Sequence, residues 1–280
     1  MDVASNRLME LVGSVYAPVP VQNATMLIGL NGAVPNGSGG ISVVDNVPDL
    51  YNDTLVLASL KNGGWSYKLY RVTTEPGRFY TEVRPNPDGA AHLILSRLYF
   101  YRQGSHYGRW ALVNVGNDVV WRDKNKNYKF DAEETVYVGP FGIHIHSGGT
   151  SLKSVNRYSA GCIAMYVGGE SVGLWVEFKE LIQSSPFSQY PLVVFDAKDL
   201  EWLVTDPLRY KATVQLGSQG VYVRELQQLL NKMVASSNRL TVDGAFGNRT
   251  KEVLRQVLIQ HELPVVGVVD RKMWQVLSKL

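Results

Sequence analysis

Cysteine is nearly missing from this chain, with Cys162 the only one in 280 residues. A lone thiol excludes an intramolecular disulfide and, by itself, a thiolate metal site, so stability comes from packing and the thiol is chemically free. Long apolar runs are missing too: no stretch reaches the roughly 18 uninterrupted apolar residues of a membrane span. The opening, Met1 to Arg7, has no basic segment leading into an apolar core, so we expect a chain with no membrane span and no secretory signal of its own. Strong charge is also absent. A formal net charge of +3 with a pI near 8.8 is too mild to imply nucleic acid as a partner.

The composition that is present, 45% apolar and 19% charged, is that of a globular protein with enough length for one large and one small domain. Charge is unevenly spread. From Arg209 onward eleven Lys and Arg stand against five acids, a net +6 that leaves −3 for the rest. A basic tail favours a polyanionic surface.

Leu8 to Val12 carries a short helical pattern, and the Gly-, Pro- and Asn-rich "NGAVPNGSGG" after it reads as loop. Between Leu55 and Asp196 come short β-branched and aromatic runs bounded by turn formers: "TLVLASL", "WSYKLYRVT", "AHLILSRLYFYRQG", "WALVNV", "DVVWRD", "TVYVG", "GIHIHS" and "YPLVVFD". These predict a mainly β domain interrupted by one helix at Ser171 to Ser185. Past Asp206-Pro207 the apolar spacing turns helical, with Val223, Leu226, Leu230 and Met233 on one segment and Leu254, Val257 and Leu258 on the next. The boundary falls between about Asp199 and Gln215.

In the tail, Leu216, Gly217, Gly220, Val223, Leu226, Gln227 and Leu230 are followed by "VDGAFG" at Val242–Gly247, Thr250, "GVV" at Gly267–Val269 and Trp274. This series resembles the three-helix peptidoglycan-binding domain of bacterial cell-wall enzymes, which implies peptidoglycan as a partner. Asp243-Gly244 has turn chemistry, and Thr250 marks the start of the helix that follows. Two positions depart from the family: Val257-Leu258 replaces a Phe-Gln pair, and Glu262 replaces the glycine before Leu-Pro.

The lone cysteine lies in "SAGC", Ser159–Cys162, where glycine before a nucleophile permits a tight turn able to aim amides at an oxyanion. His146 lies sixteen positions upstream, and in a strand it shares a face with His144. A thiol with a nearby imidazole is a candidate pair for acyl transfer. Two histidines are too few for a metal centre, so none is expected there.

"HIHS" followed by Ser-x-Gly-Cys-Ile resembles the active-site motif of the L,D-transpeptidases, cysteine enzymes acting on peptidoglycan stem peptides. The resemblance implies Cys162 as nucleophile, His146 as base, Ser159 as support, and the Gly161 and Cys162 amides as an oxyanion hole. His144, Arg157 and Ser147 become candidate substrate contacts. Ala164 stands where the family has Arg, Ala160 where it often has His, and Ser147 where glycine usually follows the base. Arg157 is the candidate replacement cation.

One more motif stands apart. "DKNKNYKFDAEE" places Asp123, Asn125, Asn127, Asp131 and Glu134 at positions one, three, five, nine and twelve, the spacing of a calcium loop. Tyr128 occupies the sixth position, where such loops have glycine, so a solvated hairpin turn is the favoured reading and Ca²⁺ the alternative.

The expectation is an α+β protein: a mainly β, L,D-transpeptidase-like catalytic domain over residues 1–204 and a small three-helix peptidoglycan-binding domain over 205–280, with no required cofactor. It would act on an L,D bond of the stem peptide through a thioacyl-enzyme. The missing leader favours a lytic, endolysin-like outcome, the protein being made in the cytoplasm and reaching the wall after release or delivery. Cross-linking and non-catalytic wall binding are the alternatives.

Overall fold

A computed structural model describes residues 7–20, 22–83 and 86–280. The leader reading at residues 1–6 lies outside the described residues. In chain order the N-terminal elements are α1 (Arg7–Gly13), β1 (Ala24–Asn31), β2 (Ala33–Pro35), β3 (Ile41–Val43), β4 (Asp53–Lys61), β5 (Gly64–Thr73), a π-helical turn (Phe79–Val83), β6 (Ala90–Leu93), β7 (Leu98–His106) and β8 (Arg109–Asn114). Then come β9 (Asp118–Asp123), β10 (Val136–Gly139), β11 (Ile145–Ser147), β12 (Ile163–Met165), α2 (Ser171–Gln183), β13 (Tyr190–Asp196) and α3 (Ala197–Thr205). The tail holds β14 (Val214–Gln215), α4 (Val221–Met233), α5 (Asn248–Gln260), β15 (Val268–Val269) and α6 (Arg271–Leu277). The protein is therefore α+β, with a sheet-rich N-terminal region and a small helical one after it.

Eight strands close into a barrel in the order β1-β13-β7-β8-β11-β12-β5-β4, with β1–β13 and β11–β12 parallel and the other pairs antiparallel. Closure removes the free strand edges that an open sheet exposes. Both faces of β4 are covered, so "DTLVLASLK" reads as a near-continuous apolar run rather than an alternation. Two hairpins are joined by two-residue turns with both residues at positive φ: Asn62-Gly63 (52° and 79°) and Tyr107-Gly108 (49° and 75°). The second turn places His106 and Arg109 opposite one another.

The segment read as loop after the first helix instead contributes β2 and, within the same glycine-rich stretch, the turn into β3. Thr54 Oγ1 donates to Ala33 O and Asp53 Oδ1 accepts from Gly32 N, which holds that hairpin against β4. The run "AHLILSRLYFYRQG" is two strands, broken where Ser96 adopts φ 52°. In the tail, α5 begins at Asn248 behind a Gly247 cap, and Thr250 sits inside its first turn, where Gln227 Nε2 donates to its hydroxyl. Asp243-Gly244 forms the expected turn, with Gly244 at φ 76°. Glu262 adopts φ 55°, the left-handed conformation that a glycine supplies more cheaply.

One apolar cluster runs through both regions. It joins Leu8, Leu11 and Val12 of α1, barrel residues Met26, Ile28 and Val193, Trp202 of α3, and Val223, Leu226, Val257 and Trp274 of the tail. Hydrogen bonds cross the same junction: Gln219 N donates to Ser96 O, Arg97 Nη1 to Gly217 O and Val221 N to Ser14 O. A second cluster fills the barrel around Leu27, Tyr70, Tyr101, Ile145 and Phe178.

A buried polar network lies beside the barrel. Asp53 accepts from Gly32 N, Thr74 N and Thr74 Oγ1, and burial with Glu75 nearby pushes its carboxyl up to about 7. Glu75 pairs with His92, which stacks on Trp121.

Candidate active site

β11 and β12 run parallel in the barrel wall, with Ile145 opposite Ile163 and His146 opposite Ala164. The turn Ser159–Cys162 feeds directly into β12, so strand pairing alone brings the thiol and the imidazole to one end of two neighbouring strands. Ser159 Oγ organises that turn, donating to Cys162 O at 2.7 Å and accepting from Gly161 N at 3.1 Å. Gly77 N ties the turn to the segment after β5 by donating to Ser159 O. Gly161 has φ 134°, and a Cβ there would lie 2.6 Å from Ala91 O, so only glycine fits. The Gly161 amide is engaged by Ser159 Oγ, whereas the Cys162 N–H makes no hydrogen bond among the described residues.

The His146 ring is fixed through Nδ1, which lies 2.8 Å from Ser147 O. Because a carbonyl can only accept, Nδ1 carries the proton and Nε2 is the free base nitrogen. Ser147 thus acts on the base through its backbone. Donor atoms of His106, His146 and Cys162 all lie within 4.8 Å of one another. His106 stacks on His146 with centroids 5.0 Å apart and meets His144 edge-on at 4.9 Å.

Cys162 Sγ does not donate to either imidazole. Its S–H faces Gly142 O at 3.7 Å, and the His144 N–H donates to sulfur at 3.5 Å. Burial pushes the thiol up to about 11, while burial also lowers His146 and His106 from the ordinary imidazole value. At rest the pair is neutral thiol and neutral imidazole, not thiolate and imidazolium. Asp118, buried below the site, accepts from Ile143 N and the neighbouring Gly142 and Phe141 amides, which fixes the loop that holds the thiol. Burial raises the Asp118 carboxyl to about 6.

Cys162, Gly161, His146, Ser147 and Arg157 line a cavity of 590 Å³. Three cations reach it, Arg109, Arg122 and Arg157, and no carboxylate is among its described lining residues. Arg157 rests 4.2 Å above the Phe79 ring and Arg122 5.1 Å from Phe141, so aromatic faces hold both guanidinium groups in place. Ala164 is fully buried beside Tyr51 and Val155, where it could not present a cation to substrate.

The sequence-predicted residues Cys162, His146, Ser147, Gly161 and Arg157 therefore meet at one cavity, with Ser159 beneath as turn support. His144 does not line it; its Nδ1 accepts from Asn114 N, and its contribution to Cys162 is through the backbone. His106, Arg109 and Arg122 escaped the sequence reading, being brought in from 40 or more positions before Cys162 by barrel strand pairing and, for Arg122 on β9, by the β6–β9 sheet. The short spacing Arg109 to His106 across a Tyr-Gly turn was the one available signal. A His₂Cys set of this kind has the donor chemistry of a soft-metal site, with His106 as the third ligand that spacing could not supply. The acidic segment Asp123 to Glu134 lies outside this cavity, linking the antiparallel strands β9 and β10.

Comparison with known proteins bears on the tail. The family described as "Putative peptidoglycan binding domain" matches residues 219–277. That match supports a peptidoglycan-binding, cell-wall-associated tail. No curated protein and no solved structure matches the chain. No helix among the described residues is long and apolar enough to cross a membrane.

Proposed function

We propose that this is a cysteine acyltransferase of L,D-transpeptidase type, held on peptidoglycan by its tail and acting on an L,D amide of the stem peptide. The observation that carries the reading is the His146 ring, locked by Ser147 O with Nε2 left as the basic nitrogen and with a ring nitrogen within 4.8 Å of the chain's one thiol in a cation-lined cavity. In the first step the Cys162 S–H proton passes to His146 Nε2 as sulfur attacks the scissile carbonyl. The carbonyl π electrons move to oxygen, and the Cys162 N–H donates to the resulting oxyanion. Collapse breaks the C–N bond, and the imidazolium returns its proton to the departing amine, leaving a thioester on Cys162. Water or a second stem's amine then attacks that thioester with the same proton transfers, giving cleavage or a new cross-link.

Arg109, Arg122 and Arg157 supply what an anionic stem peptide needs, taking the place of the arginine that Ala164 lacks. A neutral resting pair also suits a general-base mechanism, since the proton moves only when an acyl acceptor for sulfur is present. The burial of Cys162, 8% exposed, is the observation favouring a non-catalytic wall-binding protein instead.

Mass spectrometry of purified sacculi separates these readings. Wild type should release fragments or alter cross-links, while Cys162→Ala and His146→Ala should do neither yet still pellet with the sacculi. Fragments identify water as acceptor and new cross-links identify an amine. Unchanged muropeptides with bound wild-type protein would leave wall binding as the function.

A further inference from the structure

At the junction of barrel and tail lies a cavity of 640 Å³ that takes no part in the site at Cys162. On α4, Glu225, Gln228, Leu229 and Lys232 recur at helical spacing, so one face of that helix opens on it. Trp274 and Gln275 of α6 form a second wall. The third comes from the barrel side, with Trp202 of α3 and then Arg209 and Lys211 in the segment that follows. These walls are tied together. Trp274 Nε1 donates to Ala212 O at 3.0 Å, Trp202 meets Tyr210 edge-on, and Arg209 N and Tyr210 N both turn back to Asp206 O.

The polar groups lining the cavity are unevenly satisfied. Glu225 is neutralised by Lys211 at 2.6 Å, and Lys211 also lies 5.5 Å from the Tyr222 ring. The Arg209 guanidinium and the Lys232 ammonium, by contrast, meet no carboxylate and no hydrogen-bond acceptor among the described residues. The side-chain amides of Gln228 and Gln275 are likewise unengaged among the described residues. Arg271, 5.4 Å from the Trp202 ring, adds to the positive field beside them. Unpaired cations next to unpaired amides fit an anionic ligand that itself carries amides: guanidinium takes a carboxylate bidentately, and glutamine both donates to and accepts from a peptide group. A single-stranded nucleic acid fits poorly, because it needs open aromatic faces and Trp202 and Trp274 are only 2% and 4% exposed.

We propose that this cavity grips a stem peptide of peptidoglycan, with Arg209 and Lys232 on a carboxylate and Gln228 and Gln275 on neighbouring amides. The wall-binding unit is then larger than the matched residues 219–277, since α3 and the segment after it supply Trp202, Arg209 and Lys211. Stem peptides carry both features, free carboxylates on an amide backbone. The excess of Lys and Arg from Arg209 onward draws such an anionic network to the tail. A phosphate polymer of the wall would satisfy the cations and leave both glutamines unused. The proposal rests on the reading of the tail as a peptidoglycan binder and is independent of the chemistry assigned to Cys162.

The experiment follows depletion of the full chain from solution over a range of concentrations of purified sacculi, with and without their teichoic acid. Arg209→Glu and Lys232→Glu should each weaken retention about tenfold or more, and Gln228→Ala combined with Gln275→Ala about threefold or more. Arg239→Glu, the same charge change at an exposed tail residue outside the cavity, should stay within about twofold. Because Arg209, Gln228, Lys232 and Gln275 are exposed, the variants should melt within about 2 °C of wild type. On adding a soluble disaccharide-tetrapeptide, hydrogen exchange should slow at residues 206–212 as well as in α4 and α6. Weakening by Arg239→Glu equal to that of Arg209→Glu would show diffuse charge attraction and overturn the site, and so would cavity variants that bind as wild type does. Protection confined to residues 219–277 would overturn the share of the barrel side. Retention that requires teichoic acid would overturn the stem peptide as ligand. A wild type that pellets with neither preparation would remove the tail reading itself, and the site with it.

Discussion

Alkylation of the native protein by iodoacetamide tests the resting state of Cys162 directly, because no other thiol competes. The thiol moves from an ordinary 9.0 to about 11 on burial. Two pH units correspond to about a hundredfold less thiolate at any pH below 9, and only the thiolate reacts. The native rate at pH 7 should therefore be about a hundredfold or more below that of the same chain in denaturant, burial adding to the electronic effect. It should also climb about tenfold per pH unit from 7 to 10 without a plateau. His146→Ala should leave this rate nearly unchanged, since Cys162 faces Gly142 O and not the ring. Intact-mass spectrometry follows the single adduct. A native rate equal to the denatured one at pH 7, a plateau beginning below pH 8, or a steep fall in His146→Ala would show a thiolate–imidazolium pair already formed and refute the neutral-pair argument.

Other expectations follow from the same geometry. Gly161→Ala must hold alanine at φ 134° against Ala91 O, costing about 2 kcal/mol or more in a denaturant melt and abolishing turnover of sacculi. Because the folded Asp53 carboxyl is raised from 3.8 to about 7, the native state keeps a proton the unfolded chain releases. Stability from this group is greatest below about pH 4 and falls by up to about 4 kcal/mol as pH rises to 7, levelling above it. Denaturant midpoints that rise across that window would contradict the assignment. Leu226→Ala, fully buried in the shared cluster, should cost about 2 to 5 kcal/mol and lower the melting of barrel and tail signals together; separate transitions would argue against one cooperative core.

Much of the barrel could be read from composition because its strands are short, β-branched and bounded by turn formers, as "TLVLASL" and "YPLVVFD" are. β1 was harder: "ATMLIGLN" is buried along six consecutive positions, so it shows no period of two, and Gly29 within it is there to admit Val194 from β13. The break at Ser96 was invisible because nothing local forces its left-handed backbone; Ser96 Oγ donating to Thr213 O is a tertiary contact. At the site, Cys162, His146 and Gly161 were legible since one strand pair joins nearby segments. His106, Arg109 and Arg122 were not, because only barrel closure and the β6–β9 pairing bring them to the cavity. Glu262 shows the converse: its position in the tail called for glycine, and the backbone takes the left-handed turn regardless.

The apolar cluster that threads α1, barrel, α3 and tail bears on how such chains can be recombined. A crossover near residue 205 would cut through shared packing, stranding Leu8, Leu11 and Trp202 on one fragment and Leu226 and Trp274 on the other. Grafting a foreign targeting module onto this barrel therefore requires redesigning α1 along with α4 to α6, although some 200 positions of sequence separate them.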